Sequence, residues 1–221
     1  MKIQLIKWYD KNNYDFPWRK SNNPYKIWIS EVMLQQTQVT TVIPYYNRWM
    51  KKFPTIQDVA KANIDIILKY WEGLGYYSRA HNIKKTAIII CETMNGKLPK
   101  SNLLMTLPGI GDYMEGSIMS IAFSKPFPAI DGNVKRVFSR LLCENFNSAK
   151  EIKKLKKHIL KKMYKSRPGC FNQAIMDLGR EICKPTNPLC NTCPVQNKCM
   201  AYHKNLTSLY PRKKIKKKCP S

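Results

Sequence analysis

Four cysteines, Cys183, Cys190, Cys193 and Cys199, are spaced C-x6-C-x2-C-x5-C. Thiolates at this spacing can surround one centre once a short loop folds back. Zinc sites commonly show two short Cys–Cys knuckles, whereas here only Cys190 and Cys193 form one. The uneven gaps suit a cubane better, in which each iron takes one thiolate, and favour a [4Fe–4S] cluster over zinc. Cys91, Cys143 and Cys170 have no such partners in sequence and read as small buried hydrophobes, and Cys219 as a free thiol in the tail.

Two further stretches carry candidate chemistry. In LPGIGDYMEG, Leu107–Gly116, glycines two apart permit backbone angles closed to other residues. A turn built on Gly109 and Gly111 would present N–H groups beside a helix N-terminus, an anion site suited to a phosphate but blind to base identity. An ordinary tight turn between two helices is the plainer reading. In AIDGNVKRV, Asp131 precedes a glycine and a basic helix. By itself, an aspartate at such a junction reads as an N-cap.

The elements that must position these residues are helical. Ala80, Ile83, Ala87, Ile90 and Met94 recur at steps of three and four before a stop at Gly96. A helix beginning at Pro24 runs through WISEVML, and DVAKANIDIILKYWEG predicts one helix or a pair. YMEGSIMSIAF, VKRVFSRLL and CFNQAIMDLGREIC add three more. KEIKKLKKHILKKMYK is a basic helix with Ile152, Leu155, Ile159 and Met163 on one stripe. Convincing strand patterns and internal repeats are absent.

Lysine and arginine number 39 against 14 aspartates and glutamates, a formal charge of +25. So large an excess suits a polyanionic partner, nucleic acid above all, although lysine also serves simply to fill solvated surface. Hydrophobic residues make up 43 % of the chain, enough for a real core. No apolar run approaches a signal peptide or a membrane span, so a cytoplasmic, nucleoid-associated protein with reduced cysteines is expected.

SEVMLQQTQV, GLGYYSRA, LPGIG followed closely by Tyr113, DGNVKRV, FNQAIMDLG and the cysteine cluster occur together in one order. Together they resemble the adenine-specific mismatch DNA glycosylases of the MutY type, members of the helix–hairpin–helix superfamily shared with endonuclease III. The resemblance runs almost continuously from Trp8 to Tyr210. It implies an all-α fold of two helical lobes. Residues 20–125 would form a six-helix lobe with the helix–hairpin–helix motif. Residues 1–19 and 126–205 would form the lobe of the [4Fe–4S] loop, and 206–221 a basic tail. The implied partner is double-stranded DNA containing a mismatch, bound by a monomer.

Cleaving adenine from deoxyribose needs a proton on a ring nitrogen of the base and a negative charge beside the sugar cation. It also needs the base to leave the stack. By resemblance Glu31 is the acid, its apolar neighbours keeping a proton available. Asp131 matches the carboxylate at the sugar. Tyr113 and Asn133 match residues that position these groups and the attacking water. The superfamily's bifunctional members carry a lysine where Tyr113 stands, so the resemblance implies a monofunctional glycosylase. Trp18, Arg19, Leu34 and Gln173 match the pocket for the flipped adenine. Gln36 and Tyr76 match residues wedged into the duplex, which leaves Tyr77 for the core.

Two features depart from the family pattern. Asp112 and Glu115, three apart at a helix start, form a capping-box pattern that would compete with phosphate for the same N–H groups. The sequence also ends soon after SLYPRKKIKKK, where the family continues into a separate domain that recognises 8-oxoguanine. Strong discrimination of 8-oxoguanine from guanine is therefore not expected of this chain. The competing readings are a thymine/uracil mismatch glycosylase of the same superfamily, a catalytically weak DNA-binding relative and an electron-transfer protein.

Overall fold

The chain folds into helices and turns. The structure, a computed structural model, describes residues 1–12 and 14–212, and no strand occurs among them. Residues 213–221, with Cys219 and the end of the basic tail, lie outside the described residues. No described helix is long and apolar enough to cross a membrane. The chain divides into two units: Tyr14–Ala129, and the N-terminal helix α1 (Lys2–Lys11) together with the chain from Ile130 onward.

The Tyr14–Ala129 unit holds six α-helices: α2 (Pro24–Met33), α3 (Val39–Lys52), α4 (Ile56–Lys61), α5 (Ile64–Trp71), α6 (Ser78–Thr93) and α7 (Asp112–Ser117). Their starts follow local chemistry. Pro24 opens α2, and the Asn23 side chain accepts from the Tyr25 and Lys26 amides. Thr55 and Asp58 close a capping box on α4, and Asn63 caps α5. The core is built on Trp28, Trp49, Trp71, Phe53, Ile67 and Ile83, all almost fully buried, each contributing about 1.5–3 kcal/mol by leaving water. Inside it the Trp49 indole N–H donates to Tyr25 Oη at 3.0 Å, and Tyr25 donates to the Phe53 carbonyl at 2.6 Å. Phe16 and Trp18 pack into this core, which ties the segment before α2 to this unit.

α7 starts one residue earlier than a capping box would require. Gly111 is its N-cap and offers no side chain, so Asp112 opens the helix and Glu115 lies four residues beyond the cap. The expected Asp112–Glu115 box therefore does not form. The helix continues into a π-helical turn, Ile118–Ala122. Gly116 is required by close approach: a Cβ there would strike the Pro128 carbonyl and Ala129.

The second unit adds α8 (Gly132–Leu142), α9 (Ala149–Lys162), α10 (Pro168–Glu181) and α11 (Met200–His203) to α1. α10 packs against both α1 and α8. Leu5, Val137, Phe138, Leu155, Ile159, Phe171 and Leu178 form its core. On α9, Leu155 and Ile159 face inward, while Lys153, Lys157, Lys161 and Lys162 are exposed. The cysteine segment follows α10 as an irregular loop with short turns at Cys190–Thr192 and Gln196–Lys198.

Two expectations about single side chains need correction. Cys91, Cys143 and Cys170 are half-buried, not fully enclosed; Cys143 ends α8 in a left-handed conformation, which carries it to the rim. Tyr77 is 46 % exposed because it caps the start of α6 rather than facing the core.

Candidate active site

Glu31 lies one turn before the end of α2, between segments that bury Ile29, Val32 and Met33, and is itself only 5 % exposed. Its Oε2 accepts a hydrogen bond from the Tyr113 hydroxyl at 2.5 Å. Tyr113 is the second residue of α7, so this bond joins the hairpin's second helix to α2. The hairpin itself needs only one special glycine. Gly109 has φ +77°, and a side chain there would press on Asn82, whereas Gly111 is extended with open space beside it.

Asp131 caps α8: its Oδ1 accepts from the Val134 amide at 2.7 Å. The cap reading and a chemical role are compatible, because the other carboxylate oxygen is held separately. Oδ2 accepts from Asn133 Nδ2 at 2.9 Å. Burial pushes the Asp131 carboxyl above its ordinary range, against the opposing pull of the Val134 amide, the Asn133 side chain and the Arg136 charge. Asn133 is fixed in turn, since its Oδ1 accepts from Arg136 Nη2 at 2.7 Å. Arg136 also donates to the carbonyls of Gly179 and Cys183, each at 2.8 Å. Sequence reading passed over Arg136, although its place in DGNVKRV offered a signal.

The cysteine loop is tied down by Arg140, which is 2 % exposed. Its guanidinium donates to the carbonyls of Lys184, Pro185, Thr207 and Tyr210 and to Cys183 Sγ at 3.3 Å. Burial raises the thiols of Cys190 and Cys199 and pushes Cys193 up to about 11, and in all three the nearby Cys183 adds to the shift. Cys183 thus lies within electrostatic reach of the other three thiols. Among the described residues, however, no group of three or more histidine, cysteine, aspartate or glutamate side chains is gathered to hold a single metal ion.

The remaining candidates divide between the units. Trp18 is a core side chain, 5 % exposed, stacked on Phe16 and edge-on to Tyr46. Arg19 lies over the Phe16 ring at 4.9 Å, and Leu34 caps the end of α2, partly buried. Gln36 and Tyr76 are exposed and both left-handed, at φ 56° and 49°. These five belong to the Tyr14–Ala129 unit. Gln173, on α10 of the other unit, accepts from the Tyr9 hydroxyl at 2.6 Å.

Residues 29–162 match the family model described as HhH-GPD superfamily base excision DNA repair protein. An adenine DNA glycosylase of Rattus norvegicus is 43 % identical over 214 residues, covering 90 % of this chain and 41 % of the relative. One from Buchnera aphidicola subsp. Baizongia pistaciae is also 43 % identical, over 96 % of this chain and 61 % of the relative. The chain thus spans about two-fifths to three-fifths of the length of these relatives. Among solved structures, a thermostable thymine-DNA glycosylase superposes with a TM-score of 0.83 at 27 % identity, over 91 % of this chain and 94 % of that one. A trapped endonuclease III–DNA covalent intermediate shares the fold, with a TM-score of 0.78 at 24 % identity over 91 % of this chain and 93 % of that one. From the family match across the hairpin and Asp131, and the all-helical fold that carries both, the chain belongs to the HhH-GPD superfamily of base excision DNA repair proteins.

Proposed function

We propose that the protein is a monofunctional DNA glycosylase that removes adenine mispaired with 8-oxoguanine or guanine in double-stranded DNA. The observation that carries this reading is the pairing of a buried carboxyl with a tyrosine hydroxyl: Glu31 with Tyr113 at the second helix of the hairpin. The relatives named adenine DNA glycosylase, similar over nine-tenths or more of this chain, support adenine as the base.

In this reading Glu31 gives a proton to a ring nitrogen of the extruded adenine. The C1′–N bond then breaks with its electron pair passing to the base. Ionised Asp131 stabilises the positive charge left on the sugar, and water adds to C1′, its proton passing to the Glu31 carboxylate, which restores the acid as an abasic site forms. Asn133, locked by Arg136, keeps Asp131 Oδ2 aimed. Tyr113 orients Glu31 and, lacking an amine, cannot form a Schiff base with the opened sugar. Trp18, Arg19, Leu34 and Gln173 serve the base pocket, Gln36 and Tyr76 the wedge, and the Gly109–Gly111 turn a backbone phosphate. The protein acts as a monomer in the cytoplasm, at the nucleoid.

Cys183, Cys190, Cys193 and Cys199 would hold a [4Fe–4S] cluster. The fit rests on an all-thiol donor set carried by the one loop after α10 and on the Arg140 N–H aimed at Cys183 Sγ. When bound, such a cluster cross-links a loop too short to build its own core. Thiols raised by burial would need to lose their protons on binding iron, so loading would weaken in acid.

The test is a duplex assay with A:8-oxoguanine, A:G and T:G substrates, each followed by alkali to cut at abasic sites. Cleavage confined to the adenine strand of the first two supports the reading. Cleavage of T:G alone would transfer the protein to thymine, the base in the name of the thermostable structural neighbour.

A further inference from the structure

Arg79 lies in the first turn of α6 and is 7 % exposed, yet no aspartate or glutamate among the described residues holds it. Its guanidinium spends its hydrogen bonds on two separate loops. Toward the loop after α2, Nη1 donates to the carbonyls of Val32, Met33 and Gln35 at 2.9, 3.0 and 2.7 Å. Nη2 reaches Thr37 Oγ1 at 3.3 Å. Toward the loop before α6, Nη2 donates to the carbonyls of Leu74 and Gly75 at 3.0 and 3.2 Å. The plane stands over the rings of Trp71 and Tyr76 at 5.2 and 5.5 Å.

The placement of these bonds is specific. Beside the glycines Gly73 and Gly75, Gln36 and Tyr76 are the non-glycine residues of these loops in the left-handed backbone region, and both are exposed. A non-glycine residue holds that conformation only where its surroundings over-determine it. Arg79 bonds the carbonyl immediately before each: Gln35 before Gln36, Gly75 before Tyr76. It also bonds the hydroxyl immediately after Gln36, and its own amide donates to the Tyr76 carbonyl at 2.9 Å. Capping the C-terminus of α2 would require only the Val32 and Met33 bonds.

We infer that Arg79 is a positioning residue that locks Gln36 and Tyr76 into one rigid wedge, so that both enter the duplex together and the target adenine is driven out. This rests on the glycosylase reading above. A lysine could keep the charge at the end of α2 but could not bridge both loops, because it lacks the planar fork.

The experiment places 2-aminopurine in the target position opposite guanine and follows its fluorescence on binding, alongside single-turnover adenine release. Two release substrates are used: adenine paired with guanine, and adenine already unpaired in a bulge. For Arg79→Lys, folded by circular dichroism, the fluorescence rise should fall by about tenfold and release from the A:G duplex by a similar factor. Release from the bulge and duplex affinity should stay within about threefold, because neither requires extrusion against pairing. In a Tyr76→Ala background Arg79→Lys should add little, since the two act through one step. Should Arg79→Lys fail to fold, Thr37→Val removes a single contact of the same clamp and should show the same pattern at about threefold. Equal losses on paired and bulged adenine, or full additivity with Tyr76→Ala, would make Arg79 a purely structural residue. Extrusion by the variant equal to wild type would overturn the inference while leaving the glycosylase reading intact. A wild-type protein that neither extrudes the base nor cleaves either substrate would bring down both.

Discussion

Asp131→Asn separates the chemistry of Asp131 from its structural work. As N-cap, Asp131 accepts from the Val134 amide, a contribution of about 1 kcal/mol that an asparagine Oδ1 can preserve. The second oxygen is different. Asn133 Nδ2 donates to it, and Asn133 cannot flip to compensate, because its Oδ1 is held by Arg136 at 2.7 Å. An amide at residue 131 would therefore turn one NH2 toward another, costing about 1 kcal/mol. Against that cost, the variant no longer buries a charge. The native carboxyl is raised above its ordinary value of 3.8, so the folded state holds its proton more tightly than the unfolded chain. Wild-type stability from this group is thus intact below the unfolded pKa and declines as pH rises through the native one. Relative to wild type, Asp131→Asn should gain stability as pH rises from about 4 through the native pKa and level off above it, and at neutral pH should lie within about 1 kcal/mol of wild type. Activity should behave quite differently: loss of the anion at the sugar should slow single-turnover adenine release on the order of 10²–10³-fold. Thermal unfolding across pH and the alkali gel assay measure the two arms. A product yield equal to wild type would refute the role given to Asp131. A melting difference that ignores pH would refute the argument from its burial.

Two further outcomes are expected. Tyr113→Lys should add borohydride-trappable strand nicking to adenine release, measured as a covalent protein–DNA band; a wild-type protein that already traps as well as the variant would contradict the monofunctional assignment. Arg140→Leu leaves the carbonyls of Lys184, Pro185, Thr207 and Tyr210 without their donor in a site 2 % exposed, which should cost about 3–5 kcal/mol. At about 2–4 °C per kcal/mol for a chain of this size, the melting point should drop by roughly 6–20 °C, with iron content falling alongside it; a drop below about 3 °C would show that the loop is held by something else.

What the sequence made legible was periodic or local. α6 ends at Thr93, just before Gly96, and α9 carries its buried stripe on Leu155 and Ile159, because helical spacing is a short-range signal. The burial of Glu31 was legible for the same reason, its apolar neighbours occupying both sides. The Tyr113–Glu31 bond was not, since it joins residues 82 apart and depends on how α7 packs on α2. The capping box was misread by one residue of register: the pattern Asp–x–x–Glu exists, but Gly111 starts the helix earlier than that pattern needs. Tyr77 was misread because giving Tyr76 to the wedge left its neighbour for the core, whereas Tyr77 follows the left-handed turn at Tyr76 as the exposed N-cap of α6.

The arginines expose the deepest limit of pattern reading. In composition Arg79, Arg136 and Arg140 are three contributions to a charge of +25, indistinguishable from the lysines of α9. In the fold they hardly touch carboxylates. They donate to carbonyls up to 70 residues away and fix loops that no strand network supports. A helical protein leaves its connecting loops with unpaired carbonyls, and a buried guanidinium, with five donors in one plane, can satisfy several at once. The same chemistry therefore serves the loops of Gln36 and Tyr76 through Arg79, the Asp131 cap through Arg136 and the cysteine loop through Arg140. Net charge consequently says little about how tightly this protein would grip DNA. Affinity and its salt dependence follow from the number of phosphates actually neutralised, and these inward-facing cations are already committed elsewhere.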